Sequence, residues 1–102
     1  MPFNEGMATE YNIKGNTAFE KGEWAEAMAA YTVALARLDP EAAGKEILRS
    51  TLLANRAGVF LRLQKFDDAC GDSMLALKVK PDSGKAFGRL GVALVAMRRY
   101  ED

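Results

Sequence analysis

An all-α fold of stacked helix pairs is predicted for this 102-residue chain by three observations: an internal period, alternating small and large apolar residues at helical spacing, and prolines that close successive segments. At an offset of 34, Leu53 falls on Phe87, Asn55 on Arg89, Ala57 on Gly91, Phe60 on Leu94, Phe66 on Tyr100, and Asp67-Asp68 on Glu101-Asp102. At an offset of 42, Gly15, Phe19, Trp24, Ala27 and Ala34 fall on Ala57, Leu61, Phe66, Ala69 and Ala76. The first repeat is therefore longer by eight residues. Pro40 and Pro81 lie 41 apart, which puts one of the eight before Pro40 and seven after it.

The elements follow in order. The first helix is expected over about 8–21, after a flexible segment at 1–7, and a tight Lys21-Gly22-Glu23 turn leads to a second helix ending near 38. Asp39-Pro40 stops it, because proline disfavours helix in the residue before it. The third helix begins early, near 42–45, and runs to Leu63; the fourth spans about 67–79 and ends before Lys80-Pro81; the fifth spans about 83–97. Arg99-Tyr100-Glu101-Asp102 reads as the start of a sixth helix that the chain does not contain. Large residues fill the faces that must pack: Tyr11, Phe19, Trp24, Tyr31 and Leu35 first, then Leu53, Phe60, Phe66 and Leu77. With no sixth helix, Leu90, Leu94 and Met97 are expected to form an uncovered stripe, available to a second copy of the chain by dimer contact or helix exchange.

The strings KGNTAFEKGEWAEAMAAYTVALARLDP and NRAGVFLRLQKFDDACGDSMLALKVKP resemble tetratricopeptide (TPR) repeats. In that family two antiparallel helices cross closely enough to need small residues at fixed places. Here Gly15, Ala27 and Ala34 hold them, then Ala57, Ala69 and Ala76, and Gly91 opens a third set. The resemblance covers residues 8–102 and implies a right-handed helix-turn-helix solenoid of about two and a half repeats: about 8–41, about 49–82 and a partial repeat over 83–102. It has five full helices and a truncated last repeat.

In a TPR the first helices of each pair line a groove, so polar residues on helices one, three and five are the candidates for binding. Asn12 and Asn16 are four apart on one helical face, Asn55 is on the third helix, and Lys85 and Arg89 are four apart on the fifth. These positions resemble the carboxylate clamp of co-chaperone TPR domains, whose pattern Lys, Asn, Asn, Lys, Arg holds the C-terminal tails of the 70- and 90-kDa heat-shock chaperones. Four of the five match, and Asn12 stands where the pattern has its first lysine. A tail ending in aspartate presents two carboxylates; lysine offers a point charge, arginine a planar fork, and asparagine amides donate to carboxylates and pin peptide backbone. Each charged hydrogen bond contributes roughly 1.5–3 kcal/mol, so losing the lysine weakens a tail by about ten- to a hundredfold. Phe19 resembles the residue lining the pocket for an apolar side chain before the terminal aspartate, Arg62 is placed to meet an upstream glutamate, and Lys14 is two residues out of phase.

Composition narrows the alternatives. Fourteen basic residues balance fourteen acidic ones, so no global field favours nucleic acid or an anionic membrane. Histidine is absent and Cys70 is the single cysteine, which removes the commonest general base and any thiolate metal cluster and fits a reducing compartment. Cys70, Met28 and Met74 read as packing residues. No apolar run approaches the roughly 20 residues of a membrane span, and the start lacks a secretory pattern. The expectation is a cytoplasmic, non-enzymatic protein-binding module needing no cofactor. A TPR scaffold that ignores chaperone tails, or a targeting arm cut from an enzyme, is the competing reading.

Overall fold

A computed structural model describes residues 3–101 as five α-helices: α1 (Glu5–Glu20), α2 (Trp24–Ala36), α3 (Glu46–Arg62), α4 (Phe66–Val79) and α5 (Gly84–Glu101). The helices pack in sequence as antiparallel pairs, and α3 lies between α1 and α5, touching both. That adjacency of the first, third and fifth helices makes the groove.

Helix α1 begins earlier than expected. Asn4 is its N-cap: the backbone there is extended, and Asn4 Oδ1 accepts the Met7 N–H at 2.9 Å. The Asn4 N–H donates to the Arg37 carbonyl at 2.8 Å, tying the chain's start to the end of α2. Residues 5–7 of the expected flexible segment are thus helical, and residues 1–2 lie outside the described residues. The same turn closes both helix pairs. Glu23 N–H donates to Ala18 O at 2.9 Å and Lys65 N–H to Phe60 O at 2.8 Å, with Gly22 (φ 74°) and Gln64 (φ 59°) in the left-handed region. Glycine adopts that conformation freely; glutamine pays about 1–2 kcal/mol for it.

The third turn does not form. Its left-handed residue would be Arg98, which instead continues α5 through to Glu101, so the expected break before Arg99 is overturned. The cost at Gln64 is offset by α4 packing on α3, and no described helix packs beyond α5 to offset it at Arg98. Asp102 lies outside the described residues. The loop after Pro40 is pinned by Arg49 Nη2 donating to Asp39 O at 2.7 Å and by a Lys45–Glu5 ion pair at 2.6 Å, and α3 starts just after the expected 42–45.

One core joins α1, α2 and α3 through Ala8, Ala18, Ala27, Tyr31, Ala34, Leu38, Leu52 and Val59. A second joins α3, α4 and α5 through Leu53, Ala54, Ala76 and Ala86, and Leu35 packs against both. Small residues mark the crossings as expected: Ala27, Ala34, Ala57, Ala69 and Ala76 are wholly buried. Gly15 is tighter still, since a Cβ there would lie 2.5 Å from the Tyr31 ring. Arg56 on α3 forks onto Asp72 on α4 through Nε and Nη2 at 2.7 and 2.9 Å, an ion pair within the second crossing.

The uncovered stripe of α5 matches the expected one only at Leu94. Leu90 and Met97 are partly buried on the side that also carries the buried Ala86 and Ala93; the exposed apolar residues are Phe87, Val92, Leu94 and Val95. The period explains the shift: Phe87 is 56% exposed where its counterpart Leu53 is buried, because Leu53 has a following repeat to pack on. Met74 is likewise exposed, its sulfur 3.8 Å from Cys70 Sγ, rather than in the core. Among the described residues no helix is long and apolar enough to cross a membrane.

Candidate peptide-binding groove

The groove between α1, α3 and α5 holds a cleft of about 280 Å³ lined by Asn16, Phe19, Glu20, Tyr31, Thr51, Asn55, Lys85 and Arg89. Helical spacing brings the side chains there, except that Asn12 is not among the lining residues and joins them through Asn55. Asn12 and Asn16 stack one turn apart on α1, Lys85 and Arg89 one turn apart on α5, and Asn55 stands on α3 between them.

These residues form one hydrogen-bonded network. Asn55 Nδ2 donates to Asn12 Oδ1 at 3.1 Å and to Asn16 Oδ1 at 3.3 Å, while Lys85 Nζ donates to Asn55 Oδ1 at 3.0 Å. The Tyr31 hydroxyl donates to Asn16 Oδ1 at 2.6 Å. The side-chain oxygens of all three asparagines are therefore occupied within the network. Among the described residues, the Nδ2 groups of Asn12 and Asn16, two Lys85 ammonium hydrogens and the Nη groups of Arg89 are left without a partner in the network. These donors gather beside one another and suit an anion, while the Glu20 carboxylate adds an acceptor to the same cleft lining.

Arg89 owes its place to a glycine. Its guanidinium lies against Gly58 on α3, where a Cβ would come within 2.9 Å of Nε and Nη2, and Nε reaches toward the Ala54 carbonyl at 3.5 Å. Burial, and secondarily the charge of Arg89, hold the Lys85 ammonium below the usual lysine pKa. An anion in the cleft would reverse that penalty. The Tyr31 hydroxyl is pushed up to about 12, chiefly by burial, with Arg89 opposing and Glu20 adding.

At the mouth, Phe19 and Trp24 meet edge to face with centroids 5.2 Å apart, and Arg62 lies over both, 5.8 Å from the Phe19 ring and 5.6 Å from that of Trp24. Phe19 reaches the cleft from there and Arg62 flanks it. Lys14 points elsewhere, over Tyr11 at 4.7 Å and 3.5 Å from Glu10. The residues that sequence reasoning left out of the site are Tyr31, read only as a packing residue, and Gly58, Glu20 and Thr51.

A paired-helix array whose groove gathers amides and two cations defines a helical-repeat interaction module. Comparison with known proteins narrows the class. No protein-family model matches the sequence. Serine/threonine-protein phosphatase T of Aspergillus oryzae is 33% identical over 95 residues, 93% of this chain and 18% of that protein's length. The first TPR of Spaghetti (RPAP3), solved with the HSP90 peptide SRMEEVD, is 31% identical with a TM-score of 0.80, covering 96% of this chain and 73% of that one. The second TPR domain of human RPAP3, in complex with the HSP70 peptide SGPTIEEVD, is 29% identical with a TM-score of 0.77 over 91% and 71%. The chain belongs to the tetratricopeptide-repeat domains, of the co-chaperone type.

Proposed function

We propose that this chain binds the acidic C-terminal tails of 90- and 70-kDa heat-shock chaperones, of the Glu-Glu-Val-Asp type, through Asn12, Asn16, Asn55, Lys85 and Arg89. The observation that carries the reading is the network itself: the asparagine oxygens accept from Tyr31, Asn55 and Lys85, which leaves the amide nitrogens of Asn12 and Asn16 beside two cations. The terminal aspartate would place its two carboxylates against Lys85, Arg89 and the amides of Asn12 and Asn16. Phe19 offers an apolar wall for the preceding side chain, and Arg62 meets an upstream glutamate while keeping its stacking on Phe19 and Trp24. The solved relatives were captured with such tails, SRMEEVD and SGPTIEEVD. Asn12 gives the site one cation fewer than the co-chaperone pattern, so the clamp is one of reduced affinity. Titration with SRMEEVD, once with its free carboxylate and once amidated, tests the reading: the amidated peptide is expected to bind at least about tenfold more weakly, and equal binding would refute it.

The relative among the phosphatases leaves a role as the targeting arm of a longer protein compatible with this reading, because the clamp is then the part that addresses the enzyme. Substituting Lys85 by Ala separates the tail-binding reading from a scaffold that ignores chaperone tails, since only the scaffold would retain its partner.

A further inference from the structure

The two halves of the groove are built differently at equivalent positions. At the 42-residue offset Gly15 corresponds to Ala57, Asn16 to Gly58 and Tyr31 to Ser73. The second crossing closes with Ala57 and Ser73 both wholly buried, so the tyrosine and its hydroxyl are particular to the first. In the first crossing the tyrosine ring fills the space vacated by the Gly15 side chain, 2.5–2.9 Å from where its Cβ would lie. The ring is 2% exposed, yet its hydroxyl emerges at the groove and makes the shortest hydrogen bond of the network, 2.6 Å to Asn16 Oδ1.

We infer that Tyr31 is a positioning residue for anion recognition: threaded under Gly15, its hydroxyl holds in place the Asn16 amide that Asn55 has turned, leaving Nδ2 for the ligand. This inference rests on the tail-binding reading and names the part that holds one of its donors. An asparagine amide is nearly symmetric in shape, and rotating it by about 180° exchanges a donor for an acceptor at the same place. Turned outward, Asn16 Oδ1 would face the ligand's carboxylate and repel it. The direction is set by Asn55, whose oxygen accepts from the donor-only Lys85 ammonium at 3.0 Å and whose Nδ2 therefore donates to Asn16 Oδ1 at 3.3 Å. The Tyr31 bond, at 2.6 Å the shortest of the network, is the principal restraint on the position of the amide so turned. Burial keeps that hydroxyl protonated, and hence a donor, far above neutral pH.

The test uses the intact chain with Tyr31→Phe, which keeps the ring packed under Gly15 and removes the one oxygen. Binding of SRMEEVD with a free carboxylate is expected to weaken about five- to tenfold, while binding of the amidated peptide changes less than twofold, so that the preference for the carboxylate narrows. In a double-mutant cycle, Tyr31→Phe added to Asn16→Ala should cost little more than Asn16→Ala alone. A Tyr31→Phe penalty of equal size with and without Asn16 would overturn the inference, since the tyrosine would then act by packing. A readout without ligand separates this failure from failure of the tail-binding reading. The Asn16 side-chain amide, followed by nitrogen-15 relaxation, should be ordered in the parent and mobile in Tyr31→Phe; unchanged order refutes the positioning role whether or not the peptide binds.

Discussion

Substituting Gly58 by alanine should separate binding from folding in a single methyl group. Gly58 is buried within α3, and the atoms that its new Cβ would meet belong to the Arg89 guanidinium at 2.9–3.0 Å. To restore ordinary contact near 3.5 Å the guanidinium must retreat by roughly half an ångström or more. Being the end of a long side chain, it can do so without disturbing the core. Alanine in a helix interior is about 0.5–1 kcal/mol more favourable than glycine, so thermal unfolding should be raised by about 2–8 °C for a domain of this size. Tail binding should move the other way. Displacing a guanidinium fork by that distance removes about one charged hydrogen bond, roughly 1.5–3 kcal/mol, or about ten- to a hundredfold in affinity. Calorimetric titration with SRMEEVD, alongside a thermal melt of the same samples, reads both. Affinity within twofold of the parent would refute the placement of Arg89 in the clamp, and a fall in the melting temperature would refute the argument that only the guanidinium yields.

Gly15→Ala is the contrasting case: its Cβ meets the buried Tyr31 ring, which has nowhere to go, so overpacking should destabilise the fold by about 1–3 kcal/mol in denaturant titration. Asn12→Lys should tighten tail binding about tenfold at low salt, with a steeper salt dependence, because it adds a cation at the expense of one amide bond to Asn55. Asp72→Ala strands Arg56, whose pKa is raised chiefly by its hydrogen bond to that carboxylate, and should cost about 2–3 kcal/mol of stability without touching the groove. For pH, burial and the Arg89 charge hold the Lys85 pKa below the usual 10.5, so on unfolding the lysine takes up protons in the alkaline window beneath that value, and this contribution to stability rises with pH there. A bound carboxylate favours the charged lysine, so binding should be level near neutrality, weaken in that same window, and lose the weakening in Lys85→Ala.

The sequence displayed those features that depend on spacing along one helix. Asn12 with Asn16 and Lys85 with Arg89 share faces because four residues make about one turn, and the 34-residue period placed Asn55 in register with Arg89 across neighbouring repeats. The Asn4 cap was also written in the chain, as an asparagine followed at once by Glu5, but the repeat pattern drew the expected start of α1 to residue 8. Where α5 ends was not legible from the period, since a turn is copied only where packing beyond it offsets a left-handed arginine. Tyr31 and Gly58 escaped for another reason. Tyr31 occupies a slot read as packing and Gly58 carries no side chain to mark it, so only the three-dimensional contact shows that one reaches through to Asn16 and the other leaves space for Arg89.

Setting the halves side by side turns that omission into a rule for this groove. At the slot after the small crossing residue, the first repeat carries Asn16 and the second Gly58: a side chain that donates, and a space that admits a donor from the next helix. Filling both slots alike would harm the site. An asparagine at Gly58 would exclude the Arg89 guanidinium, and a glycine at Asn16 would leave the Tyr31 hydroxyl with no acceptor. Divergence between the repeats at this register position and at the crossing beneath it, where Gly15 and Tyr31 face Ala57 and Ser73, is what makes two similar helix pairs into a single asymmetric candidate site.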